Sequence, residues 1–313
     1  MKHSFKITAL LLAMFLFTQL LGLFVIHAYA PITTEQTIGN QTLNVTSHNL
    51  PYGTEPPQDI DPKSNLLSII VSIAIAVILI LILMKIKAEI FLRVWFFIVI
   101  TIALGISINA FLLQANILYS SLIALVIALP LSIVKVFQRN IIVHNLTEVL
   151  IYPGIAAIFI PLLTVWTVVL LLLVISIYDI YAVWHSGFMQ KMAKYQIQKV
   201  RVFGGFFVPY IDSKTRAMMD KFRALNRKAK ANSQKKIKVH VAILGGGDVV
   251  FPLILAGVVL FKFGIIPAII ISLGATLALG FLFWISQKGR FYPAMPFISA
   301  GCLLALGLVY ILF

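Results

Sequence analysis

Leu244-Gly245-Gly246-Gly247-Asp248-Val249-Val250-Phe251 sets one acidic residue behind three glycines, inside an apolar run from Val239 to Gly264. A charge in such a run is costly and marks a functional site by default. The glycines strip side-chain bulk from the backbone just before it and give a substrate, water or second helix room to approach. A second acid is as deeply set: Asp179, in Ile177-Tyr178-Asp179-Ile180-Tyr181, lies near the end of the apolar run from Leu162 to Trp184.

The chain around these two acids reads as membrane. Its 313 residues are 61% hydrophobic and 11% charged, with mean hydropathy +1.02, too few polar side chains to clothe a soluble globule of that size. Runs long enough to cross about 30 Å of hydrocarbon fall at Ile7 to Ala28, Leu66 to Met84, Ile90 to Leu113, Ile117 to Phe137, Leu146 to Ile160, Leu162 to Trp184, Val239 to Phe261, Ile265 to Ile285 and Pro293 to Phe313. The expected fold is an all-α polytopic membrane protein of nine transmembrane helices. A start of the fifth helix as early as Asn140 would draw His144, Asn145 and Glu148 into the membrane. The first run also has secretory-signal features, with Lys2 and Lys6 ahead of it and Ala28-Tyr29-Ala30 behind. Its apolar core is longer than the usual ~7–15 residues, which favours a retained anchor.

Lysine and arginine placement orients the bundle. With the amino terminus inside, 23 of the 25 basic residues fall on the inner side, fourteen of them in residues 186–238, and only Lys63 and Lys262 fall outside. The expected locale is the plasma membrane, with the N-terminus cytoplasmic and the C-terminus outside. Three parts follow: 1–185, a six-helix half ending in the Asp179 helix; 186–238, a basic cytoplasmic loop; and 239–313, a three-helix half. The outer segment from Tyr29 to Asn65 is polar, with Pro51, Pro56, Pro57 and Pro62, and is expected to be an irregular loop. Its Asn40-Gln41-Thr42 and Asn44-Val45-Thr46 are glycosylation sequons on the matching side.

In the inner loop, Met218, Phe222 and Leu225 alternate with Lys214, Arg216, Lys221, Arg223, Arg227, Lys228 and Lys230 in the pattern of an amphipathic helix on anionic headgroups. No stacking aromatics alternate with the basic residues, so the net charge of +15 points to the lipid bilayer and not to nucleic acid. Phe203-Gly204-Gly205-Phe206-Phe207-Val208-Pro209 is too apolar for a free loop and is expected to dip into the interface. The single cysteine, Cys302, rules out an intrachain disulfide and a cysteine zinc site. No metal site and no cofactor are inferred.

Helix rise puts Asp179 about 9 Å from the inner end of its helix, six residues before His185, and Asp248 about 13 Å in, nine residues after Val239. The two helices run antiparallel, so the carboxyls share one slab of membrane, with no confident intramembrane lysine or arginine to neutralise them. Two carboxyls in low dielectric do not comfortably both ionise; close together they share a proton and titrate as a pair, one base and one acid. Such a pair suits attack of water on an amide. Two other readings stay open on the residues alone: a proton-coupled transporter using the acids as a relay, and a scaffold in which each aspartate bonds a neighbouring helix through Ser176, Tyr178 or Tyr181.

Tyr178-Asp179, Gly245-Gly246-Gly247-Asp248 and Pro293-Ala294-Met295, in that order and separated by a basic loop, resemble the Tyr-Asp, Gly-x-Gly-Asp and Pro-Ala-Leu signatures of the presenilin and signal peptide peptidase intramembrane aspartyl proteases. The resemblance implies a presenilin-like bundle acting as an endopeptidase on transmembrane protein substrates. It implies Asp179 and Asp248 as the catalytic dyad, with Tyr178, Gly245 and Gly247 beside it and Pro293, Ala294 and Met295 positioning the substrate. Met295 departs from the family's leucine, a swap of similar volume.

Overall fold

The computed structural model describes residues 5–38, 41–47, 49–55, 62–138, 140–185, 195–196, 204–210, 240–287 and 292–313. Among them are nine helices long and apolar enough to span a membrane: α1 (Phe5–His27), α2 (Pro62–Lys85), α3 (Glu89–Gln114), α4 (Ser120–Phe137), α5 (Ile141–Phe159), α6 (Val165–Trp184), α7 (Gly246–Phe263), α8 (Ile265–Ile285) and α9 (Met295–Leu312). Two antiparallel ribbons accompany them, β1 (Ile32–Ile38) with β2 (Gln41–Ser47) and β3 (Gly205–Tyr210) with β4 (His240–Gly245). The expected amphipathic helix over Lys214 to Lys230 lies outside the described residues, as do Lys2, Asn40, Arg139, Lys288 and Arg290.

Helix α7 sits at the centre. Every residue from Leu253 to Leu260 along it is buried, because it packs against α1, α5, α6, α8 and α9 together. A helix apolar all round needs such a surround. The outer helices show the reverse: Ile78 and Ile82 on α2, Leu122 and Val126 on α4 and Leu304 and Ile311 on α9 are exposed, as lipid-facing side chains should be. Close approach of α5 to α3 depends on Gly154, where a Cβ would run into the carbonyl of Ala103.

Helix α5 begins at the earlier of the two possible starts. Asn140 caps it, its Oδ1 accepting from the N–H groups of Ile142 and Val143, which satisfies donors that a helix start leaves open. The turn to α6 is tight, as the spacing required. Ile160–Leu162 form a single 3-10 turn, and Thr164 then opens α6 through a capping box with Thr167.

Two expectations need correction. The outer segment is not irregular over residues 32–38 and 41–47, which pair as antiparallel strands; residue types such as threonine, isoleucine and valine suit a ribbon. Beside it Tyr29 donates to the carbonyl of Ile106 and Tyr52 to that of Ser121, pinning the segment to α3 and α4; burial raises the Tyr29 phenol well above its ordinary range. The seventh helix does not start at Val239. Residues 240–245 are strand, and the helix begins at Gly246.

Candidate active site

Asp179 is 4% exposed on α6. Its Oδ2 accepts a hydrogen bond of 3.0 Å from the backbone N–H of Met295, and the amide of Ala294 faces the same carboxyl. These are the first amides of α9, donors with no partner inside their own helix, so the carboxyl stands where the helix dipole favours negative charge. Pro293 and Pro296 bracket the turn and suit a helix start. The side chain at 295 is therefore not what meets Asp179; its main chain is. Ser176, one turn earlier, bonds Ser299 Oγ at 2.9 Å and ties α6 to α9 alongside the bond between Asp179 and Met295. Tyr178 is 42% exposed, because the 100° step from Asp179 turns its ring outward.

Asp248 is the third residue of α7, not the tenth of a longer helix, and its expected depth of about 13 Å, reckoned from helix rise, does not apply. Gly245 is the N-cap, with φ −65° and ψ 144°, and the Asp248 carboxyl turns back to the Gly245 amide. This is the reciprocal half of a capping box. A Cβ on Gly245 would lie 3.1 Å from Asp248 Oδ2, whereas one on Gly247 would meet only the Phe251 ring, at 3.5 Å. Pro252, four residues on, offers no N–H to the carbonyl of Asp248, so the first turn of α7 lacks a rung. From α1, the buried Gln19 donates to the carbonyl of Val249 at 2.9 Å. Asp179 and Asp248 are near enough to interact electrostatically.

The ribbon leads to this point. Asn145 on α5 works as a surrogate strand for β3: its Oδ1 accepts from the N–H of Phe207 at 2.9 Å and its Nδ2 donates to the carbonyl of Phe207 at 2.7 Å. His144 Nε2 donates to the carbonyl of Gly205 at 2.8 Å, and its ring stacks on Phe207. Phe207 thus turns its main chain away from β4. By the alternation of an antiparallel pair, its partner Ile243 turns N–H and carbonyl away from β3. Phe206 and Val208 are buried, so this stretch dips inward as its composition implied, while Val241 and Ile243 are each 43% exposed. Among the described residues no strand pairs with the outer edge of β4, which ends at Gly245.

A further acid and a cation are buried on α5 and α4: Glu148, which the early start of α5 draws into the membrane, and Lys135, expected on the inner side. Glu148 is 1% exposed and takes a 2.6 Å ion pair from the equally buried Lys135 of α4, with His144 Nε2 at 3.6 Å. Lys135, near the C-terminal end of the span Ser120–Phe137, is thus a buried cation, and its partner is Glu148. Only the earlier start of α5 signalled this. Among the described residues no group of three or more metal-ligating side chains occurs. An apolar cavity of about 930 Å³ between α8 and α9 starts at Pro296 and Phe297 but brings no polar side chain.

A scan against protein families matches residues 9–313 to the family described as signal-peptide peptidase, presenilin aspartyl protease. Among solved structures, a presenilin family intramembrane aspartate protease in a C222 crystal is similar, with TM-score 0.62 and 17% identity over 98% of this chain and 99% of that one. The same description in a P2 crystal gives TM-score 0.58 and 17% identity over 97% of each chain. At that identity the likeness speaks for the fold. No curated protein matches by sequence.

Proposed function

The chain belongs to the signal-peptide peptidase and presenilin family of aspartyl proteases, and from that premise we propose that it cuts transmembrane protein substrates within the bilayer, using Asp179 and Asp248 as a dyad. One observation carries the proposal: two carboxyls from different helices lie within electrostatic reach of one another, each beside a backbone amide at a helix start. One carboxylate takes a proton from water as the water oxygen bonds to the peptide carbonyl carbon. The other, protonated, gives its hydrogen to the carbonyl oxygen. Collapse of the resulting gem-diol moves a proton to the amide nitrogen and breaks the C–N bond, releasing an amine and a carboxylic acid. One water is consumed and the pair returns to its starting protonation.

A helical substrate hides its carbonyls in its own hydrogen bonds, so it must unwind to be cut. The open edge of β4 supports docking by strand addition, in which main-chain bonds hold an extended segment, with Gly245 and Gly247 leaving room above Asp248. Ala294 and Met295 act in this reading by presenting their backbone N–H groups to Asp179, Pro293 by setting the turn that aims them, and Tyr178 borders the site from outside. The excess of basic residues in the inner loops supports an N-terminus in the cytoplasm and a C-terminus outside, with residues 186–238 joining the six-helix half 1–185 to the three-helix half 239–313.

The test is cleavage of a fluorogenic transmembrane peptide by the purified protein in lipid nanodiscs. Asp179→Asn and Asp248→Asn should each abolish it, and a hydroxyl-bearing aspartyl protease inhibitor should block the wild type. Cleavage at wild-type rate by both variants refutes the dyad.

A further inference from the structure

Tyr152 lies one turn beyond Glu148 on α5, so the two side chains share a face. It is 2% exposed, and its ring packs edge-on against Phe206 of β3 at 5.5 Å between centroids. Its hydroxyl is buried and completes no hydrogen bond of ordinary geometry; Glu148 is the nearer carboxyl to it, and Asp248 lies within electrostatic reach. The approach depends on Gly246, the middle glycine of the triplet. A Cβ there would stand 2.8 Å from Tyr152 Cε1 and 3.0 Å from its Oη.

Buried polar groups are nearly always satisfied, and an orphan at a functional site calls for a reason. Glu148 already has Lys135 at 2.6 Å and does not need the phenol. Among the described residues, the hydrogen bond donated to Asp248 comes from its N-cap amide at Gly245, and a carboxyl has room for further donors. Hydrogen bonds that are long in an empty site tighten when substrate is bound.

We infer that Tyr152 is a positioning residue of the peptidase site, its O–H donating to the Asp248 carboxyl in the substrate complex and fixing the orientation in which that carboxyl meets Asp179. Gly246 is the space that admits it, and the Lys135–Glu148 pair is the anchor that holds the α5 face toward α7. The inference rests on the two-aspartate reading above. Because the bond orients the catalytic carboxyl and does not hold the substrate, its loss falls on kcat rather than on KM.

The experiment uses the full chain in nanodiscs with the transmembrane peptide. Tyr152→Phe keeps the ring on Phe206 and removes only the orphan hydroxyl. It should lower kcat by about 5- to 50-fold with KM within twofold, raise the Ki of a hydroxyl-bearing transition-state inhibitor by the same factor, and leave thermal stability unchanged. Gly246→Ala, which displaces the phenol without changing its chemistry, should repeat the kcat loss, and it decides the matter if Tyr152→Phe does not fold. A Tyr152→Phe enzyme with kcat and Ki within twofold of wild type overturns the inference, as does a loss carried by KM or by stability. If Asp248→Asn still cuts in the same assay, the dyad reading fails and takes this inference with it. If Asp248→Asn is dead and Tyr152→Phe is normal, only the tyrosine's role is lost.

Discussion

Gly245→Ala separates the two demands placed on the residue before α7. Its backbone, at φ −65° and ψ 144°, is open to alanine, so no strain arises in the main chain. Alanine narrows the unfolded ensemble, a gain of about 0.4–1 kcal/mol. It caps a helix less well than glycine, a loss of about the same size. Net stability should therefore move by less than about 1 kcal/mol, a shift of about 4 °C or less in the unfolding midpoint. The site is another matter. The new Cβ would stand 3.1 Å from Asp248 Oδ2 and 3.7 Å from its Cγ, so the carboxyl must yield by a few tenths of an ångström. A misplacement of about 1 Å costs about 100-fold in rate, so this smaller one should cost about 10-fold in kcat, or about 1.4 kcal/mol in the barrier. Peptide cleavage in nanodiscs, paired with thermal unfolding of the same preparation, reads both quantities. Wild-type kcat, or a loss of several kcal/mol in stability, refutes the reasoning; Gly247→Ala, with only the Phe251 ring at 3.5 Å, is the matched control and should change kcat by less than about threefold.

Lys135→Met strands the Glu148 carboxylate and should destabilise the bundle by about 3–5 kcal/mol, while Lys135→Met with Glu148→Leu should recover most of it; thermal inactivation of the three proteins checks the cycle, and additive losses would show that the pair is not coupled. Asn145→Ala removes both side-chain bonds to Phe207 and should cost about 1–3 kcal/mol, seen first as faster hydrogen exchange at Phe207. If the β4 edge docks substrate, the same variant raises KM. Met295→Leu should keep kcat within about threefold, because Asp179 is met by the main-chain N–H and the side-chain volumes are close; a large loss would mean that the thioether itself matters.

Number and order of the spans, the two acids and the three short signatures were all legible in the sequence, because hydropathy and a rare buried charge are properties of local composition. Residues 240–245 were misread for a physical reason. His240-Val241-Ala242-Ile243-Leu244 is a short apolar run, and periodicity alone does not distinguish a buried strand from the start of a helix. What makes it a strand is Gly205 to Tyr210, a segment more than thirty residues earlier, which takes one side of its hydrogen bonds while Asn145 holds that partner in place.

The sequence by itself determined that this chain crosses the membrane nine times and carries two acids where acids are expensive. Only the tertiary structure decided what surrounds them. Met295 reaches Asp179 across 116 positions, Lys135 finds Glu148 on another helix, and Tyr152 packs where Gly246 lacks a Cβ. Burial cost is written residue by residue, but the groups that offset it come from whichever helices happen to pack alongside.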